Sequence, residues 1–585
     1  MKTKILFQTA MLSFLVVLFS GCEDIINNED GKLDGNVTIS ENITESLTWK
    51  DGNTYIIDGT VRVGASQTVV ITVEPGATIK FTNGGTLDFA YSDDEYATII
   101  AKGTPDKPIK FTSNSPIPAA GDWNSLNFYK GAVNCEFENC IFEYGGGNNS
   151  YGNIYLDESA VSFKNCSFTN SQTDGIKLYT DGRFSSFTGN SFSNIGKNSI
   201  TCNPSGVSSI GANNSYDSYS AILINDVNFN KTGEFTWKNQ GVPYIIDGSI
   251  RMGVENTQGL KLIIEPGVVF KMTDDSYIDF AYWDDEYVTL IAKGTAEKPI
   301  VFTSNSPSPE QGDWNSLNFY KGAVNCEFDF CEFRYGGGNN SYGNIYISET
   351  AVSITNCLFS KSESYGVKLY GNGEFANFTN NTFSSQKLYP VTINANAVAT
   401  MGANNSFETG SSIHITDNNF NISGSYTWLN QGVPYFIDGT IRVGSPNGTT
   451  LNINAGTVLK FANGGGMQIA YWDDDYAKLI TNGTATEPVV FTSNSPAPAK
   501  GDWDGISFYQ GVSGSNLNYC TIDYAGGNTY MGAVSLSDSG NNTITIANST
   551  ISNSESYGIT VDSGSSVDYS TVTFINNNGE DYHVR

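Results

Sequence analysis

Phe137-Glu138-Asn139-Cys140-Ile141-Phe142 returns as Phe163-Lys164-Asn165-Cys166-Ser167-Phe168 and again as Phe187-Thr188-Gly189-Asn190-Ser191-Phe192, so its first position moves from 137 to 163 to 187. The same two steps separate the lines Phe328 to Phe333, Ile354 to Phe359 and Phe378 to Phe383; a looser set runs Leu517 to Ile522, Ile546 to Ile551 and Tyr569 to Phe574. Each line alternates apolar with small or polar residues, is rich in β-formers and is bounded by Asn, Gly and Ser, so each reads as a short strand between turns. No helical pattern lies between them, which excludes a βαβ sheet. A strand recurring at this period winds into a coil, each turn adding one strand to each of several parallel sheets, with Asn, Cys, Ser and Phe stacked on their own kind.

Outward from these lines a longer repeat is visible. Gly121-Asp122-Trp123-Asn124-Ser125-Leu126-Asn127-Phe128-Tyr129 recurs at Gly312 to Tyr320 and, altered, at Gly501 to Tyr509, so the step from Trp123 to Trp314 nearly equals that from Trp314 to Trp503. Tyr55 to Arg62 recurs at Tyr244 to Arg251 and Tyr435 to Arg442, and Phe111-Thr112-Ser113-Asn114-Ser115-Pro116 is repeated in both later copies. The chain of 585 residues therefore reads as a leader over 1–22, a polar linker over 23–45 and three copies over 46–233, 234–424 and 425–585. Only short Asn-rich stretches separate the copies, which predicts that they abut. About eight coils per copy, at roughly 4.8 Å each, would set equivalent loops on the order of 40 Å apart along one rim.

The short lines closely resemble right-handed parallel β-helix repeats of the pectate-lyase-like superfamily, over most of residues 46 to 585. The resemblance implies an all-β, right-handed parallel β-helix solenoid in three tandem modules. It leaves activity open, because lyases, hydrolases, adhesins and passive stalks share that scaffold.

Lys2 and Lys4 precede an apolar stretch from Ile5 to Phe19, followed by Ser20-Gly21-Cys22. This resembles a bacterial lipoprotein signal, implying that Cys22 is lipidated; Glu23-Asp24 resembles an export signal to the surface of the outer membrane. No later segment approaches spanning length, so the membrane is expected to be engaged only through that lipid. A net charge of −29 disfavours nucleic acid and anionic membrane surfaces. Acidic polysaccharides are disfavoured too, unless a metal bridges them. Cys135 and Cys140 recur as Cys326 and Cys331, but the third copy keeps only Cys520, which excludes a disulfide framework shared by all copies; the cysteines read as small buried residues.

The most suggestive constellation is aromatic and acidic: Tyr91, Asp93, Asp94 and Tyr96; Tyr282, Trp283, Asp284, Asp285 and Tyr287; Tyr471, Trp472, Asp473, Asp474 and Tyr476. Asp122, Asp313 and Asp502 follow Asp93, Asp284 and Asp473 at one constant interval, a spacing near one long coil that predicts stacking of the two acidic loops. Carboxylates beside Tyr and Trp suit either a sugar, held by ring stacking and hydrogen bonds, or Ca²⁺ at Asp93, Asp284 and Asp473, the one cofactor the motifs suggest. The competing reading is a solvated Asp turn.

Paired carboxylates also serve glycoside hydrolysis, but an active centre gains nothing from triplication, whereas weak binding does. The Gly-His-Gly and Arg-Ile-Lys accompaniment of polygalacturonase-like sites is missing. His414 occurs in one copy only, so it reads as a strand residue that is solvent-facing or hydrogen-bonded. Arg62, Arg251 and Arg442 stand four positions after Asp58, Asp247 and Asp438, the spacing of a same-face ion pair on a strand. Trp123, Trp314 and Trp503 read as core. Trp283 and Trp472 match Ser92 of the first copy and are expected to be exposed. The Gly-rich stretches around Tyr151, Tyr342 and Tyr530 read as turns whose tyrosines line a groove.

The resulting expectation is a surface lipoprotein that binds a glycan or a cell-surface partner without catalysis, through three repeated loops. A polysaccharide lyase or glycoside hydrolase and a passive stalk are the alternatives.

Overall fold

The computed structural model describes residues 35–585 except 226, 418, 513, 529 and 538–541. The leader and Cys22 lie outside the described residues. What is described is a parallel β-solenoid of about 20 turns, with three strands in a typical turn. A single-turn α-helix at Pro204–Val207 and a 3-10 turn at Asn396–Thr400 are the only helices among the described residues.

Inward side chains stack from turn to turn. Phe111, Phe142, Phe168, Phe192 and Tyr216 form one ladder, with ring centroids 4.9, 5.0, 5.0 and 5.3 Å apart. Phe270, Phe302, Phe333, Phe359 and Phe383 form another, spaced 4.9, 5.2, 4.8 and 4.7 Å. These spacings are the strand separation of a sheet, so every ring is stacked simply because the turns are. Trp49, Trp237 and Trp428 are buried, as are Trp123, Trp314 and Trp503, and Trp123 stacks on Phe81 at 4.3 Å.

The Asn-rich lines owe their composition to the corners. Asn139 (φ 48°) and Asn165 (φ 52°) each turn the chain from one sheet to the next with a single left-handed residue, a conformation Asn tolerates better than most. Phe330 and Tyr519 take the place of Asn139 in the later copies at nearly the same φ, so the neighbouring strands impose the corner even where the residue opposes it.

The copies join without a break, and they join rotated. In copy one the chain visits three faces in order. Face three starts at Leu47–Trp49, face one holds Thr54–Ile57, and face two starts at Thr60–Val63. The sheet of face two then runs on through Ile222–Ile224 into Tyr244–Ile246, the copy-two counterpart of Thr54–Ile57. A face-one segment of the repeat has thus become a face-two strand. The same substitution recurs one copy later: the sheet that begins at Ser249–Met252 runs on through Ile413–Asp417 into Tyr435–Ile437. Seven strand steps separate Thr60–Val63 from Tyr244–Ile246, and Thr54–Ile57 lies one face earlier, so each copy spans seven and one-third turns. Equivalent residues are displaced by about 35 Å along the axis and by one face around it. The expectation of a single rim with three loops in line is therefore corrected: each copy presents its loop at a different edge of the rod.

Candidate functional site

The turn that carries the acidic loop is longer than the others. It runs from Thr86 to its partner Ser125, half as long again as the preceding turn from Thr60 to Thr86, and the surplus emerges as loops at the corners. At the first of these, Ala90, Ala281 and Ala470 all adopt φ of 52–53°. A left-handed Ala costs on the order of 1–2 kcal/mol, and in every copy it marks the point where the chain leaves the sheet to form the loop. The turn that follows is closed from inside. Glu95 Oε2 accepts from the Ser92 amide at 3.2 Å, and Glu286 Oε2 accepts from the Trp283 amide at 3.2 Å. Asp93, Asp94, Asp284, Asp285, Asp473 and Asp474 project into solvent.

Trp283 and Trp472 are 56% and 57% exposed, as expected of positions that tolerate Ser in copy one. Tyr91, Tyr96, Tyr282 and Tyr476 are exposed; Tyr287 and Tyr471 are half-buried. Asp122, Asp313 and Asp502 are not brought to this loop. In copy one the loop lies between faces two and three, whereas Asp122 lies between faces one and two, because the interval from Asp93 to Asp122 covers only part of the lengthened turn. Asp122 Oδ2 accepts from Ser113 Oγ at 2.6 Å and from the Ala119 amide at 3.0 Å, bracing the preceding turn. Asp313 and Asp502 do the same with Ser304 and Glu310, and with Ser493 and Ala499. Among the described residues no group of three or more His, Cys, Asp or Glu side chains converges as a metal site would.

The arginines do join the site. Arg62 lies over the Tyr91 ring at 3.9 Å, Arg251 over Tyr282 at 4.5 Å and Arg442 over Tyr471 at 5.3 Å. The acidic partners of Arg62 and Arg251 are not the residues four positions earlier. Arg62 stands in register with Asp88, and Arg251 with Asp279, to which its Nε lies 3.6 Å away. Asp58 instead accepts from Thr82 Oγ1. The next turn adds Asn127 and Asn318, whose Nδ2 atoms donate to Asp88 and Asp279 at 2.7 and 2.8 Å, and the turn after that adds Tyr155 and Tyr346. Copies one and two thus display the same outward ladder of Arg, Asp, Asn and Tyr along the axis of the rod. Copy three carries Arg442, Gln468, Ser507 and Ser535 in the same register.

Rings frame this ladder. Tyr282 meets Tyr320 at 5.2 Å, Tyr320 meets Tyr346 at 6.1 Å and Tyr342 meets Tyr346 at 4.7 Å, and copy one repeats the set with Tyr91, Tyr129, Tyr155 and Tyr151. In copy two they enclose a groove of about 240 Å³ lined by Arg251, Asp279, Tyr282, Ser316, Asn318, Tyr320 and Tyr342 among others. In copy three Arg442, Trp472 and Asp475 line a different hollow of about 300 Å³, together with Asn419 and Asn421.

Burial raises the Asp88 and Asp279 carboxyls above the usual range, against the opposing pull of their Asn hydrogen bonds and of the arginines. Burial and the nearby carboxylate also push the phenols of Tyr129 and Tyr320 upward, so both stay protonated. The buried atoms Asn318 Oδ1 and Ser316 Oγ have no hydrogen-bond partner among the described residues, and neither do Asn127 Oδ1 and Ser125 Oγ. Leaving such a group unsatisfied costs about 1–3 kcal/mol. Sequence reasoning missed Asp88, Asp279, Asn127, Asn318, Tyr129, Tyr320, Tyr155 and Tyr346. The available signal was an Asp inside the apolar strands Thr86–Phe89 and Tyr277–Phe280, answered by the Asn of the following repeat.

His414 is neither solvent-facing nor bonded through its ring nitrogens; it is sandwiched between Tyr389 at 4.4 Å and Phe436 at 5.1 Å, with Asp438 3.8 Å from Nε2. Desolvation in that stack lowers its pKa.

A family model described as "Pectate-lyase like beta helix domain" matches residues 41–184, 230–386 and 421–546, one stretch in each copy. No curated protein and no solved structure matches the chain.

Proposed function

The chain belongs to the pectate-lyase-like β-helix domain family, and on that premise we propose that it binds a neutral glycan, without catalysis, in the tyrosine-framed groove of copy two and in a corresponding groove that we infer over the matching ladder of copy one. Lipidation at Cys22 would hold it at the bacterial outer-membrane surface. The observation that carries the reading is the chemistry of the copy-two groove. Asp279, whose carboxylate is desolvated, lines it together with Asn318 and Ser316, whose buried Oδ1 and Oγ atoms have no hydrogen-bond partner among the described residues. Adjacent sugar hydroxyls need donors and acceptors in this proximity, and the flat faces of a sugar ring suit Tyr282, Tyr320 and Tyr342. The charge of −29 weighs against acidic polysaccharides.

The desolvated Asp279 beside Arg251 is the feature that favours an enzyme. A hydrolase requires a second carboxylate across the scissile bond, and Asp279 is the only acidic residue among those lining the groove. The groove is also smaller than the roughly 300–1,000 Å³ usual for enclosed small-molecule sites.

The full-length protein, run in native gels cast with galactomannan, xyloglucan, dextran or amylopectin, with and without Ca²⁺, tests the proposal. At least one polymer should retard the wild type, and the double change Asp279→Gln with Asn318→Ser should weaken that retardation. Equal migration in all gels, or an undiminished retardation of the variant, would overturn the reading. New reducing ends or unsaturated products would replace it with the enzymatic one.

A further inference from the structure

From the rotation of the copies we infer that the protein cross-links separate glycan strands instead of gripping one strand repeatedly. The inference rests on the glycan reading above and names the geometry of its partner. The ladder Arg62, Asp88, Asn127 and Tyr155 runs along the axis on face two, whereas Arg251, Asp279, Asn318 and Tyr346 run along the axis on the sheet that begins at Ser249–Met252, one face further round. The two grooves are also about 35 Å apart along the rod.

A strand seated in the first groove and continued in the same direction stays on face two. There it meets Lys177, Thr201, Leu223 and Ile245, outward residues of the shared sheet, and not the second groove. To reach Asp279 it would have to leave its own groove and bend around an edge. Linked sites multiply affinity only when one ligand spans both in its relaxed geometry; otherwise they engage independent ligands. A fractional number of turns per copy therefore converts a repeated site into a bridge.

The variants for the test come from the chain itself. Gln468 and Ser507 occupy the Asp and Asn positions of copy three within an intact sheet, so Asp88→Gln with Asn127→Ser, and separately Asp279→Gln with Asn318→Ser, close one groove each with residues the fold already carries. The probes are galactomannan, xyloglucan, dextran and amylopectin, each with short oligosaccharides prepared from it. The protein is used full-length in detergent at one chain per micelle.

Wild type should take up two oligosaccharides per chain, and should make the matching polymer turbid near equal site concentrations. Each single-groove variant should take up one, with affinity at the remaining groove within about twofold, and should cause no turbidity. If instead the polymer binds wild type in clear 1:1 complexes, and each variant loses about 10²-fold or more in polymer affinity, one strand spans both grooves: the cross-linking inference is overturned while the glycan reading stands. Binding of no probe at all would remove both.

Discussion

Replacing Asp279 by Gln, the residue at the matching position of copy three, is expected to stabilise the protein at neutral pH. Asp279 is buried, and desolvation raises its carboxyl above the ordinary 3.8 even though Asn318 and Arg251 pull the other way. A carboxyl raised on folding favours the folded state below its unfolded pKa. That contribution is lost as pH climbs from about 3.8 through the higher folded value. At pH 7 the folded protein thus holds this charge at a net cost. Removing the charge while keeping an amide acceptor for Asn318 should therefore stabilise the fold, within the about 0.5–2 kcal/mol that favourable single substitutions commonly gain. Because the turns of a solenoid open locally, the gain is best read by hydrogen exchange of the amides in Tyr277–Phe280 and Ser316–Phe319. Wild type and variant compared at pH 7 should differ by about fivefold in favour of the variant, and at pH 3 by little. Faster exchange of the variant at pH 7, or a difference that persists undiminished at pH 3, would refute the account of Asp279 as a charge retained at a cost to stability. A concurrent loss of glycan binding would supply the reason such a charge is kept.

Trp283→Ala and Trp472→Ala remove exposed rings, so each should leave stability within about 0.5 kcal/mol in thermal denaturation. Glycan retention should fall only for the ring that meets the ligand. Asp122→Ala takes the acceptor from Ser113 and from the Ala119 amide, at a cost of about 1–3 kcal/mol, and should show as faster proteolysis between residues 114 and 121. The same change should leave glycan affinity unaltered, since Asp122 lies at the other margin of face two. The eight cysteines of the described region are buried, and burial pushes the Cys135 thiol up to about 12. Mass spectrometry after iodoacetamide treatment should find them unmodified in the native protein and alkylated after unfolding.

The solenoid was legible in the primary structure because its order is periodic and short-range. Phe142, Phe168 and Phe192 stack at 5.0 Å for the same reason that their lines recur at a near-constant step: one turn of chain separates them. The core role of Trp123, Trp314 and Trp503, the exposure of Trp283 and Trp472, and the presence of Tyr342 at a groove could all be read from repeat-matched positions. Asp122 was misplaced because loops inserted at the corners lengthen the turn from Thr86 to Ser125, and the partners of Arg62 and Arg251 were misread because they lie abreast on the next turn and not along the same stretch of chain. Counting along the chain then no longer says which side chains lie abreast.

The primary structure by itself determined that this chain is a coil of stacked strands, repeated three times, with aromatic and acidic loops at matching positions. Tertiary structure alone decided where those loops face. A copy closes after seven and one-third turns, and that third is a property of strand pairing summed over the whole copy. No local motif encodes it, because a corner residue sets the bend at its own turn and carries no count of the turns before it. The same summation laid Arg251, Asp279 and Asn318 side by side from three successive turns. Residues far apart in the chain became neighbours there because the sheet fixes register laterally, across turns of unequal length.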